Sequence, residues 1–138
     1  MADISYETNT SVSTAEFVSL LKSSTLGERR PIDDLECIEG MLNNSNLIIS
    51  AWHKDKLVGI SRSVTDYNYC CYLSDLAVDS EHQGQGVGKE LLKITKKSLR
   101  ASCMIILLSA PDAVNYYPHL GFNKHESAWM LSPTTEIQ

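Results

Sequence analysis

The stretch YLSDLAVDSEHQGQGVGKELLKITKKSL, residues 72–99, holds a strand, a turn and a helix in succession. YLSDLAVD is apolar and bounded by turn residues, as a strand is. KELLKITKKSL repeats its apolar side chains at helical spacing. SEHQGQGVG joins them, with glycines at 84, 86 and 88 where the turn becomes the helix. Glycine has no β-carbon, so a bulky ligand can approach the backbone closely. The first N–H groups of a helix lack partners within it and sit at the positive end of its dipole. Gln83, Gly84, Gln85, Gly86, Val87, Gly88 and Lys89 therefore read as a backbone cradle for a pyrophosphate.

Two familiar phosphate motifs fail on spacing. A Walker loop needs four residues between its first glycine and the Gly-Lys pair, then Ser or Thr. Gly84 to Gly88 is one residue too short, and Glu90 follows Lys89. A dinucleotide fingerprint needs Gly-x-Gly-x-x-Gly, with an acid at the end of the next strand. The glycines here alternate, and Ser109 or Ala110 follows that strand.

Upstream, NLIISAWH, KLVGISRSV and YCCYLSDLAV read as three strands. Turns at Asp55 and at Thr65–Asn68 make them an antiparallel meander. The third is apolar on both faces, as a central strand would be. Residues 3–8 read as an edge strand. Ser13 or Thr14 caps a first helix with Phe17, Leu20 and Leu21 buried, and Asp33 or Asp34 caps a second. Downstream, CMIILLS reads as a buried strand reached by a helical crossover, hence parallel to YLSDLAV. PDAVNYY reads as a short helix, and GFNKHESAWML as one or two strands.

Composition sets the outer bounds. A chain of 138 residues reads as a single domain over residues 1–138. A formal charge of −5 argues against a general nucleic-acid binder and favours cationic partners such as amines. No apolar run approaches the roughly 20 residues that span a bilayer, and MADISYETN lacks the features of a signal peptide. The four cysteines show no zinc spacing, and reduced cysteines fit a cytoplasmic protein. No metal is implied.

Gln83, Gly86 and Gly88, following LAVD, form a Gln-x-x-Gly-x-Gly pattern that resembles the acyl-CoA-binding motif of the GNAT superfamily of N-acyltransferases. A second match lies in AVNYYPHLGF, residues 113–122, where Ala113, Tyr117, Gly121 and Phe122 fit a later helix of that family. The resemblance covers roughly residues 47–130. It implies an α+β GNAT-like fold, with a mixed central sheet of six to seven strands and about four helices. It also implies acetyl-CoA as acyl donor, a primary amine as acceptor (small molecule or peptide), and a homodimer. Leu76, Ala77 and Val78 would contact the pantetheine and the thioester carbonyl, and Asn115 the CoA. Tyr117 would be the general acid toward the CoA thiolate. Pro118 departs from the family pattern and bears on how the Tyr117 hydroxyl is placed.

Asp75 is the one charge in its strand, and many family members carry an acid there. Two roles fit it: a base acting through water, or a carboxylate that fixes the strand. Arg29 and Arg30 fit either an acceptor's carboxylate or phosphate or a solvated loop, whereas the chain's acidity favours a cationic acceptor. Asp66 is a further acceptor-side candidate, and His82 and His119 are weaker bases. A non-catalytic acyl-CoA-binding regulatory module is the alternative to an enzyme.

Overall fold

The computed structural model describes residues 3–138, which fall into two compact units, one ending at Leu108 and the other running from Ser109 to Gln138. The first unit holds one five-stranded sheet in chain order: β1 (Ile4–Thr8), β2 (Leu47–His53), β3 (Lys56–Thr65), β4 (Cys70–Val78) and β5 (Met104–Ile106). β1 to β4 run antiparallel, and β5 lies parallel to β4 after a helical crossover.

The helices are α1 (Thr14–Ser23), α2 (Leu35–Asn43) and α3 (Val87–Lys97). Ser13 and Glu16 exchange hydrogen bonds in a capping box at the start of α1. α1 buries Phe17, Leu20 and Leu21 in a cluster with Ile38 of α2 and Ile48, Ile60 and Ala77 of the sheet. Each such side chain contributes about 1.5–3 kcal/mol when fully buried. α3 sets Val87 and Leu91 in a second cluster with Leu47, Ile49, Ala51 and Val58. A Cβ built on Gly59 would lie 3.1 Å from both Leu91 Cδ1 and Val87 Cγ1, so the glycine lets α3 approach β3 closely. The Thr95 hydroxyl, 2.8 Å from Ser61 Oγ, ties the same helix to the same strand. The glycine turn thus leads into a helix whose position the core fixes.

The described residues contain five strands and three α-helices, fewer than the six to seven strands and four helices expected. In place of the short helix expected for PDAVNYY, the chain forms a 3-10 turn at Pro111–Ala113 and a second at Tyr117–Leu120. Pro118 has no N–H for an i→i−4 bond and disfavours helical geometry at the residue before it. GFNKHESAWML forms no strand. Its apolar residues stand side by side as Ala128–Leu131, so they cannot line one face of a strand. β4 is also less uniformly buried than an apolar central strand, alternating Cys71, Leu73, Asp75 and Ala77 inward with more exposed neighbours. Among the described residues, no helix is long and apolar enough to cross a membrane.

Candidate functional site

β4 has nine residues, but β5 pairs with it only at Cys70, Cys71 and Tyr72. From Leu73 to Val78, β4 is bonded on its β3 side and open on the other. Leu76, Ala77 and Val78 form the end of this open edge. The chain then passes through a 3-10 turn, Ser80–His82, into the glycine turn and α3.

The turn has the backbone that its sequence requires. Gly84 and Gly86 have φ of 76° and 84°, left-handed values that a β-carbon disfavours. Gly86 is the N-cap of α3, and no side chain caps the helix. Its first N–H groups are therefore left for an anion. A Cβ built on Gly84 or Gly86 meets no atom within 4 Å, so space beside the turn is open. Lys89 is exposed in the first turn of α3. Gln83 and Gln85 brace the turn from within: Gln83 Nε2 donates to Val78 O at 3.0 Å, and Gln85 Nε2 to Glu81 O at 3.5 Å. An uncapped N-terminus, left-handed glycines and a nearby lysine fit the diphosphate of CoA.

Asp79 was not singled out in the sequence, yet it is buried at the head of this turn. Its carboxylate accepts from His82 Nδ1 at 2.8 Å and pairs with Lys56 Nζ at 3.7 Å. Burial pushes its pKa up, but hydrogen bonds from His82 and Ser23 and the charge of Lys56 outweigh that and leave it below the ordinary value. His82 is thus engaged in holding the turn.

Asp75 has both oxygens occupied. Arg30 Nε donates to Oδ1 at 2.6 Å, and Arg62 Nε to Oδ2 at 2.5 Å. The carboxylate is fully buried between them. With a guanidinium on each oxygen, the carboxylate has the geometry that the strand-fixing role requires. Arg30 is correspondingly withdrawn from an acceptor's carboxylate, while Arg29 is exposed. Arg62, the second clamp, was also missed. Its signal was the one cation in the interior of the strand KLVGISRSV beside a strand with a lone anion, and the two are direct cross-strand partners.

Asp66 organises its own turn. Its Oδ1 accepts from the N–H groups of Asn68, Tyr69 and Cys70 at 2.9, 2.8 and 3.1 Å. These bonds, that from Tyr69 foremost, hold its pKa below the ordinary value. Its Oδ1 thus forms the turn, while Oδ2 has, among the described residues, only Cys70 Sγ beside it, at 3.9 Å.

Asn115 and Tyr117 belong to the second unit. Tyr117 starts a 3-10 turn that ends at Gly121, whose φ is 99°. Its ring meets those of Tyr116 and Phe122 edge-on, each at 5.3 Å. Burial raises the Tyr117 pKa, and neighbouring Tyr116 adds to the shift. The phenol therefore keeps its proton beyond its ordinary range. Asn115 is exposed between the two turns.

A family model described as an acetyltransferase (GNAT) domain matches residues 22–130. An uncharacterized N-acetyltransferase, ycf52, of Gracilaria tenuistipitata var. liui is 32% identical over 97 residues, 68% of this chain and 53% of that protein. The chloroplastic GCN5-related N-acetyltransferase 2 of Arabidopsis thaliana is 36% identical over 69 residues, 49% of this chain and 27% of that protein. The chain spans about half the length of the first of these relatives. Among solved structures, a GNAT family acetyltransferase of Streptococcus pneumoniae aligns over 97% of this chain and 100% of its own, with TM-score 0.80 and 23% identity. An aminoglycoside acetyltransferase from an uncultured soil metagenomic sample aligns over 96% and 97%, with TM-score 0.70 and 22% identity. At these identities the structural likeness is one of fold.

Proposed function

Because this chain belongs to the GNAT acetyltransferase family, we propose that it transfers an acetyl group from acetyl-CoA to a primary amine by direct attack. The observation that carries the reading is the opening of β4 from β5 after Tyr72, followed directly by an uncapped, glycine-led helix N-terminus. One binds an extended thioester arm along its free backbone groups. The other binds the diphosphate at the far end of the same molecule.

The amine attacks as the free base, since an ammonium has no lone pair. As the C–N bond forms, negative charge gathers on the carbonyl oxygen, where N–H groups of the open β4 edge serve as donors. The C–S bond then breaks and the sulfur leaves as a thiolate. Tyr117 donates a hydrogen bond to it that matures into proton transfer. With ordinary pKa values of about 10 and 8.5, that transfer is uphill by roughly 2 kcal/mol. The raised Tyr117 pKa makes it steeper, so the phenol acts first as a hydrogen-bond donor. With Asp75 held between arginines, the amine proton leaves to water.

A cationic acceptor agrees with the charge. Glu28, Asp33, Asp34, Glu36 and Glu39 are exposed along the α1–α2 connection and α2, while Arg30 is paired with Asp75. The aminoglycoside acetyltransferase in the comparison is named for an aminoglycoside acceptor. We assign the reaction to the cytoplasm and the working form to a homodimer, which sedimentation tests.

Tyr117→Phe separates an enzyme from a module that only binds acyl-CoA. The enzyme reading predicts that turnover falls about a hundredfold or more while acetyl-CoA affinity stays. Unchanged turnover would remove Tyr117 from the chemistry.

A further inference from the structure

Opposite Arg62 and Ser63 of β3 stand Asp75 and Leu73 of β4, so Ser74 is left without a partner. This is a bulge, which bends its strand and increases the local twist. It falls two residues after Tyr72, the last residue of β4 paired with β5. The bulge and the start of the open edge therefore coincide.

The carbonyl and the hydroxyl of the bulged Ser74 are each taken by an arginine. Arg30 Nη2 donates to the Ser74 carbonyl at 2.8 Å while its Nε holds Asp75. Arg62 Nη2 donates to Ser74 Oγ at 2.9 Å while its Nε holds the other Asp75 oxygen. Arg62 Nη1 also reaches Ser45 Oγ at 2.8 Å, just past the end of α2. Arg30 comes from the α1–α2 connection, immediately after the 3-10 turn Leu26–Arg29. One surface loop, one helix end and one strand thus meet at a single bulged residue.

We propose that Arg30 is a positioning residue: through its fork to Asp75 and the Ser74 carbonyl, it sets the bulge that directs the open edge of β4 toward the acetyl-pantetheine arm. This deepens the donor-site reading above and rests on it. The role depends on the shape of the guanidinium, not on its charge. Lysine keeps the charge and can pair with Asp75, but a single ammonium on a flexible stem cannot reproduce two fixed, parallel donors. The Arg30 side chain is 22% exposed, so its replacement leaves the fully buried Asp75 with Arg62 as partner and the core intact.

The test compares wild type, Arg30→Lys and Arg30→Met by calorimetry with two probes: acetyl-CoA, and 3′-phospho-ADP, which carries the diphosphate but no pantetheine arm. Thermal unfolding of each variant checks folding. The expected result is that both variants lose about tenfold in acetyl-CoA affinity, since small misplacements in a site carry costs of that order or more. Their affinity for 3′-phospho-ADP stays within about twofold, because the glycine turn does not depend on the bulge. Arg30→Lys matching wild type would overturn the proposal, because charge alone would then suffice. Equal weakening toward both probes would overturn it as well, by showing a general loosening. Wild type binding neither probe would instead defeat the donor-site reading, and this inference with it.

Discussion

Asp75→Asn is the substitution on which a base and a structural clamp differ most. Asparagine has nearly the same volume, so no cavity forms and only charge and hydrogen bonding change. Asp75 is fully buried, and the side chains of Arg62 and Arg30 are 7% and 22% exposed. The substitution leaves two guanidiniums facing one neutral amide, whose oxygen meets one of them while its NH2 opposes the other. Breaking a buried pair costs about 3–5 kcal/mol. Arg30 recovers part of its hydration, which places the loss near the lower end, at about 3 kcal/mol. That is a large share of the roughly 5–15 kcal/mol of a domain of ordinary stability. At about 3 °C per kcal/mol for a chain of this size, Tm falls by about 10 °C. Calorimetric or circular-dichroism melting at neutral pH measures it, with thiol release from acetyl-CoA followed on the same samples. If Asp75 were instead a free base, Tm would hold within about 2 °C, while turnover fell and the acid limb of its pH profile disappeared. That pair of results would refute the clamp.

Gly86→Ala places a β-carbon at φ 84°, a left-handed position that costs roughly 1–2 kcal/mol; melting shows that loss, and acetyl-CoA titration shows weaker binding as the helix start distorts. Asp66 and Asp79 both have folded pKa values below the ordinary one, so their contribution is fully present above the unfolded value of about 3.9 and is lost as pH falls through the depressed values. Melting between neutral pH and strong acid therefore shows constant support down to about pH 4 and decline below it, and Asp79→Asn flattens that decline. Without a carboxylate base, kcat/KM rises about tenfold per pH unit until the acceptor amine is deprotonated. It falls again only above the ordinary phenol value of about 10, because burial holds Tyr117 protonated beyond it. A plateau set by a group titrating near 5 would point to a carboxylate base.

The strand–turn–helix at the centre was legible because each of its signals is local. Left-handed positions at Gly84 and Gly86 require glycine, and Val87, Leu91 and Leu92 fall on one face of α3. The meander was legible from turn residues between apolar runs. The clamp was not, because Arg30 and Arg62 lie 45 and 13 residues from Asp75 and meet it only once the sheet has formed. Locally, Arg30 beside Arg29 in a loop suggested an acceptor contact, and Asp75 in its strand fitted a base as well as a fixed carboxylate. The segment around Tyr117 misled in the opposite direction. Its spacing of Ala113, Tyr117 and Gly121 is helical, but Pro118 removes the hydrogen bond that a helix would need there. Beyond Gly121, Ala128 to Leu131 offer hydrophobicity without alternation, so hydrophobicity alone suggested strands that did not form.

The central claim is that the open β4 edge and the glycine turn hold acetyl-CoA for transfer to an amine. Calorimetric titration of the protein with acetyl-CoA, with thiol release followed against polyamines, aminoglycosides, amino acids, arylalkylamines and peptides, tests it most directly. The account predicts saturable binding that weakens in Gly86→Ala, and thiol release that depends on one class of amine. Absence of binding in the wild type would contradict the reading of Gln83 to Lys89 as a cradle, and binding with no release against any amine would contradict the enzyme.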